Sequence, residues 1–179
     1  MELTYKQLEQ ILRQYFDIAS PKVSTFRSRI KQLQRLKFPP GVNVGRGAKM
    51  VYSAEQLFQL TTAFELLNNG FPAATATDLL SEYWGNFSDA FAIKESDNRL
   101  NKDTPRYILF TLAKIKYTDD AHVTIESVSN LQDALSAKDG KSLNSFQVID
   151  VGGIVNSLAD ICATLQEVDL PQNAAYQAR

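Results

Sequence analysis

The chain has 179 residues, 44% hydrophobic and 22% charged, a composition that excludes a disordered or fibrous protein and supplies one large core or two small ones. No stretch reaches the ~18 consecutive apolar residues of a membrane span. The start, MELTYKQLEQ, lacks the basic-then-apolar order of a secretory leader, and a single cysteine excludes an internal disulfide, so a soluble cytoplasmic protein is expected.

The formal net charge of −1 hides a division. Residues 1–50 carry 10 Lys/Arg against 3 Asp/Glu, whereas residues 51–179 carry 9 against 17. Such asymmetry points to a polyanionic partner for one end of the chain; the plainer alternative is a solvated basic face.

From Thr4 to Tyr15 the residues Leu8, Ile11, Leu12 and Tyr15 recur at helical spacing, one face of an amphipathic helix. Ser20-Pro21 reads as a cap and first helical position for a second helix. That helix turns Val23, Phe26, Ile30 and Leu33 inward and Thr25, Arg27, Ser28, Arg29, Lys31 and Gln32 outward. It must stop by Phe38, because Pro39-Pro40-Gly41 follows. Residues 23–37 hold five cations and no acid. A helix, a short polar connection and a basic second helix are the parts of a helix-turn-helix, whose second helix meets base edges. The stretch PPGVNVGRGAKMVYS, with Arg46 and Lys49, then predicts a β-hairpin with a basic tip; an ordinary surface loop is the alternative.

A third helix begins at Ser53, with Gln56 at capping-box spacing. Its apolar stripe is Leu57, Leu60, Ala63, Phe64 and Leu67, and Asn69-Gly70 should end it. A shorter fourth helix is expected over about residues 72–83, with Ala76, Leu79 and Leu80 inward.

These residues, taken in order, resemble the DNA-binding domain of MerR-type regulators, bacterial winged helix-turn-helix proteins. Val23, Thr25, Phe26 and Arg27 match the family's V-x-T-[LF]-R recognition helix, and Pro39-Pro40 its step into the wing. Tyr52-Ser53 and Gly70-Phe71 open and close its third helix at the family's spacing, and Leu79-Leu80 match the pair ending its fourth. The likeness covers about residues 4–82. It departs in a longer first helix, in about one extra helical turn before Pro39, and in Ser28-Arg29 where tyrosines are usual. The resemblance implies a recognition helix over about residues 22–36 and a wing over about 39–51, with DNA contacts by Ser24, Thr25, Arg27, Ser28, Arg29, Lys31, Arg46 and Lys49.

Residues 85–105 read as a polar linker with one short helix near 87–93. Strand patterns follow in RYILFTLAKIKY, HVTIESV and SFQVIDV, with a short helix in SNLQDALSA and a last one in GIVNSLADICATLQEV. The expected fold is therefore mainly α with a smaller α+β part: a winged helix-turn-helix domain (1–84), a linker (85–105) and a β-β-α-β-α dimerisation or sensing module (106–179). In the last helix Ile154, Leu158, Ile161, Leu165 and Val168 follow the 4-3-4-3 spacing of a coiled-coil seam, which would make a homodimer. The alternative is that this helix packs on its own sheet.

No catalytic or metal constellation emerges, and no cofactor is implied. His122 is the only histidine and has no nucleophile motif around it. Cys162 reads as an apolar filler. Asp150-Val151-Gly152-Gly153 reads as a tight strand-to-helix turn rather than an anion site, and Trp84 with Tyr83 and Phe87 as an aromatic hinge core. The function expected is sequence-specific transcriptional regulation by a nucleoid-associated homodimer on double-stranded DNA, with an effector or protein partner for the second module. The alternatives are an architectural, excisionase-like DNA-bending factor and a protein-interaction adaptor.

Overall fold

The computed structural model describes residues 2–42, 50–91, 106–113, 122–128, 130, 132 and 147–165. Among these the protein is mainly helical, with a two-stranded and a three-stranded sheet. The chain divides into two compact units, Met1–Trp84 with Asn156–Arg179, and Gly85–Val155.

The first unit opens with a strand that periodicity does not reveal. β1 (Glu2–Thr4) pairs antiparallel with β2 (Val51–Ser53), Leu3 opposite Tyr52. Three residues carry too little alternation to read as a strand, and the partner lies far along the chain. Each strand runs directly into a capped helix. Thr4 begins α1 (Tyr5–Tyr15) and Ser53 begins α3 (Ala54–Asn68), and both caps are reciprocal capping boxes, with Gln7 and Gln56. The two segments are near copies, Thr4-x-x-Gln7-Leu8-x-Gln10 and Ser53-x-x-Gln56-Leu57-x-Gln59, so the ladder joins two strand-cap-helix units by their first residues.

Between α1 and the next helix, Ser20–Lys22 form a single 3-10 turn. The expected Ser20 cap is corrected here: Ser20 is the first residue of that turn and makes no capping bond, and α2 (Val23–Arg35) starts after it. Pro21 still sits where a missing N–H is harmless. Phe26, Ile30 and Leu33 are buried, as their spacing requires, whereas Val23, also expected inward, is only half-buried. Phe26 stacks at 4.9 Å from Phe64 of α3, and Phe16 lies 6.4 Å from Phe26 and 5.6 Å from Phe64. This aromatic triad fixes α2 against the central helix.

α3 is buried almost all round. Beyond Leu57, Leu60, Ala63 and Phe64, it hides Phe58, Gln59, Thr61, Thr62 and Leu66, whereas Leu67 is only half-buried. The buried face is thus wider than the expected stripe, and its last member is displaced by one residue. Thr61 and Thr62 tolerate burial because each hydroxyl donates to the carbonyl one turn back, Leu57 and Phe58.

Helices α1, α2 and α3 end in the same way. Ile18 N–H donates to the Arg13 carbonyl, Phe38 to Leu33 and Phe71 to Leu66, each with a second bond inside it, which is the Schellman closure. The closure requires a left-handed residue, filled by Asp17 at φ +46°, Lys37 at φ +61° and Gly70 at φ +90°.

α4 (Ala73–Phe91) buries Ala76, Leu79 and Leu80 as expected, but it does not stop near Tyr83. It bends at Tyr83 (φ −111°, ψ 16°) and continues to Phe91, so residues 85–91 are helix, with Phe87 and Phe91 buried. The short helix expected near 87–93 is therefore present as far as residue 91, joined to α4 across the bend rather than separate from it. The remaining expected linker, 92–105, lies outside the described residues.

In the second unit β3 (Tyr107–Ala113) is the centre of an antiparallel sheet, flanked by β4 (His122–Val128) and β5 (Gln147–Asp150). All three strands lie within the β-rich stretches where the sequence expects them. The short helix expected at SNLQDALSA falls almost wholly outside the described residues. β5 turns directly into α5 (Val151–Thr164).

Candidate nucleic-acid interface

On α2 the exposed residues sort into rows. Ser24, Ser28, Lys31 and Arg35 are spaced 4-3-4, one straight stripe opposite the buried Phe26, Ile30 and Leu33. Thr25 and Arg29 flank it on one side and Arg27 on the other, and all are exposed. Arg35 is absent from the expected site residues, although its i+4 relation to Lys31 marks it as part of the row. The helix has no acidic residue to neutralise this face. Ser28 donates its hydroxyl to the Ser24 carbonyl at 3.0 Å, which leaves its oxygen as an acceptor facing out.

Arg27 differs from its neighbours. Its Nε donates to both oxygens of Glu9 on α1, each at 2.9 Å. Glu9 has a side-chain exposure of 8%, against 54% for Arg27, and its Oε1 also lies 3.9 Å from Arg13 Nη1. A buried carboxylate needs a cationic partner, and the arginine supplies one. The bond and charge of Glu9 in turn raise the Arg27 pKa further. Tyr5 beside this pair has its phenol pushed up, chiefly by burial and then by Glu9. Tyr5, Lys6, Glu9, Gln10, Arg13 and Arg27 line an open depression of about 400 Å³ between the first two helices. Glu9 had no place among the expected site residues, since its partner is eighteen positions away and only the tertiary fold joins them.

The exit of α2 is tied to the sheet. Gln34 Nε2 donates to the Tyr52 hydroxyl at 2.6 Å, and that hydroxyl donates to Met50 Sδ at 3.0 Å. Burial raises the Tyr52 phenol. Gln56 both caps α3 and donates from Nε2 to the Pro40 carbonyl at 2.8 Å. These bonds hold the two ends of the segment in which Arg46 and Lys49 fall; both residues lie outside the described residues.

The expected α5 seam is partly covered. Ile154 is 3% exposed and Leu158 0%, covered by the chain itself, together with Val151 and Cys162. Ile161 and Leu165 are half-buried and Val168 lies outside the described residues. Burial pushes the Cys162 thiol up to about 11.

The first N–H groups of α5 are bonded within the chain. Val151 and Gly152 N–H both donate to the Arg106 carbonyl, and Gly153 N–H to Asp150 Oδ1 at 2.8 Å. The helix N-terminus is thus occupied by its own chain. Trp84 is likewise structural, donating Nε1 to Glu55 Oε1 at 2.7 Å. His122 pairs with Ala113 in the ladder. Among the described residues no three His, Cys, Asp or Glu side chains group to hold a metal ion, and no helix is long and apolar enough to cross a membrane. No protein-family model and no curated protein matches the chain.

Proposed function

We propose that this protein is a sequence-specific DNA-binding transcriptional regulator of the winged helix-turn-helix type, acting in the cytoplasm, which lays α2 in the major groove. The observation that carries this reading is the acid-free exposed row Ser24, Ser28, Lys31 and Arg35, held rigidly by Phe26, Ile30 and Leu33 behind it. Short hydroxyl side chains let a helix approach the bases, and the cations supply phosphate or guanine contacts. Arg46 and Lys49 would grip the backbone from a wing that begins near Pro39.

One recognition helix reads too few base pairs to select a site in a genome, so the active species is a homodimer on a two-fold operator.

The test is selection of sheared genomic DNA by the purified protein at moderate salt, followed by sequencing. A few enriched sites sharing a two-fold motif are expected; uniform recovery would refute the reading and leave an architectural or adaptor role. Lys31→Glu combined with Arg35→Glu should weaken binding and flatten its salt dependence, by about 0.9 in slope for each phosphate that the variant no longer neutralises.

A further inference from the structure

We propose that Glu9 is a positioning residue for base recognition: it locks Arg27 so that the arginine presents only its end-on pair, Nη1 and Nη2, to a guanine. This rests on the DNA-binding reading above. An arginine fork offers two ways to make a paired contact, one edge using Nε with Nη2 and the other using both terminal nitrogens. Here the choice is already made. Nε is consumed by a three-centre bond to both oxygens of Glu9 at 2.9 Å. Among the described residues neither Nη1 nor Nη2 has a partner, and the side chain is 54% exposed, so the free end stands at the surface beside the α2 row.

The carboxylate suits this task because it is itself immobile. Glu9 lies between the buried Leu8 and the fully buried Ile11 on α1 and has a side-chain exposure of 8%. Arginine normally gives up much rotamer freedom on binding. The Glu9 bond exacts that loss during folding, leaving less to lose on the DNA. The terminal pair matches the O6 and N7 acceptors of guanine in the major groove. A phosphate would also accept this pair, but it would need no fixed edge and would confer no base preference.

The experiment is selection from a randomised duplex library by the full chain and by Arg27→Lys, Arg27→Ala, Glu9→Ala and Glu9→Gln, with the salt slope measured for each on its best site. The wild-type motif should contain one G·C pair per half-site that both Arg27 variants erase. Glu9→Ala should reduce discrimination at that pair by about tenfold, the order of one bidentate contact, with the same salt slope and unchanged preference elsewhere. Glu9→Gln, nearly isosteric and keeping one acceptor, should fall between and serves if the alanine variant does not fold. A wild-type motif that persists unaltered in Glu9→Gln and Glu9→Ala, with affinity reduced equally at all sites, would overturn the positioning role while leaving DNA binding intact. Weaker affinity with an unchanged motif in Arg27→Ala would assign the arginine to a phosphate and also overturn it. A wild-type protein that enriches no motif removes the DNA reading and this proposal together.

Discussion

Gly70 and Gly85 make a paired test of what limits a side chain in this fold. At both positions a Cβ would meet nothing within 4 Å, so space is equal. Only the backbone differs: Gly70 sits at φ +90° in the closure of α3, whereas Gly85 lies within α4. Alanine at Gly70 must accept the left-handed conformation, at roughly 1–2 kcal/mol, while its stiffer unfolded chain returns roughly 0.4–1 kcal/mol. The net is a destabilisation of about 1 kcal/mol. Alanine at Gly85 meets no such strain and should stabilise by about 1 kcal/mol through helix propensity. Lys37, at φ +61° in the equivalent place on α2, reverses the argument, and Lys37→Gly should gain about 0.5–1 kcal/mol. Urea unfolding followed by far-UV circular dichroism measures all three. With a slope of about 2 kcal/mol/M, the midpoints should move by about 0.5 M, down for Gly70→Ala and up for Gly85→Ala and Lys37→Gly. If Gly70→Ala and Gly85→Ala moved the midpoint in the same direction, backbone conformation would not be the deciding term and the account of the helix ends would be wrong.

Three further outcomes are expected. Phe26→Ala removes one ring of the Phe16, Phe26 and Phe64 triad and should cost about 3–5 kcal/mol; a thermal melt showing less than about 1 kcal/mol would mean that α2 is not anchored there. Thr4→Ala and Ser53→Ala each delete one capping box and should each cost about 1 kcal/mol, with additive midpoint shifts expected if the two caps act independently. Cys162 should react with a thiol reagent at pH 8 only as fast as the protein opens, since it is buried and its pKa is raised from 9.0 to about 11. The folded state holds the thiol protonated where the unfolded chain has begun to ionise. Its contribution to stability is therefore full below pH 9 and shrinks as pH rises towards 11; fast native labelling at pH 8 would contradict its burial.

Much of the local architecture is legible in the sequence because its causes are local. The α1 and α2 faces follow from spacing of three and four residues, the Ser53–Gln56 box from two side chains one turn apart, and the end of α3 from Asn69-Gly70. The three strands of the second unit follow from runs of β-branched and aromatic residues. Where the pattern misleads, a distant contact has overruled a local signal. The helical pattern near 87–93 reads as separate from the one ending near Tyr83, yet the two form one bent helix, with Phe87 and Phe91 buried. Ile154 and Leu158 fit a seam by spacing, yet spacing does not say whether a second chain or the same one covers a stripe.

The candidate interface divides along the same line. By itself the sequence determined that α2 is an acid-free basic helix with one apolar face, because charge and periodicity are properties of neighbouring residues. Only the tertiary structure decided that Arg27 is bound by its Nε to Glu9, and that Leu3 and Tyr52 bring the starts of two helices together in one ladder. Those pairings join residues far apart in the chain, and the folded core alone determines which of them meet.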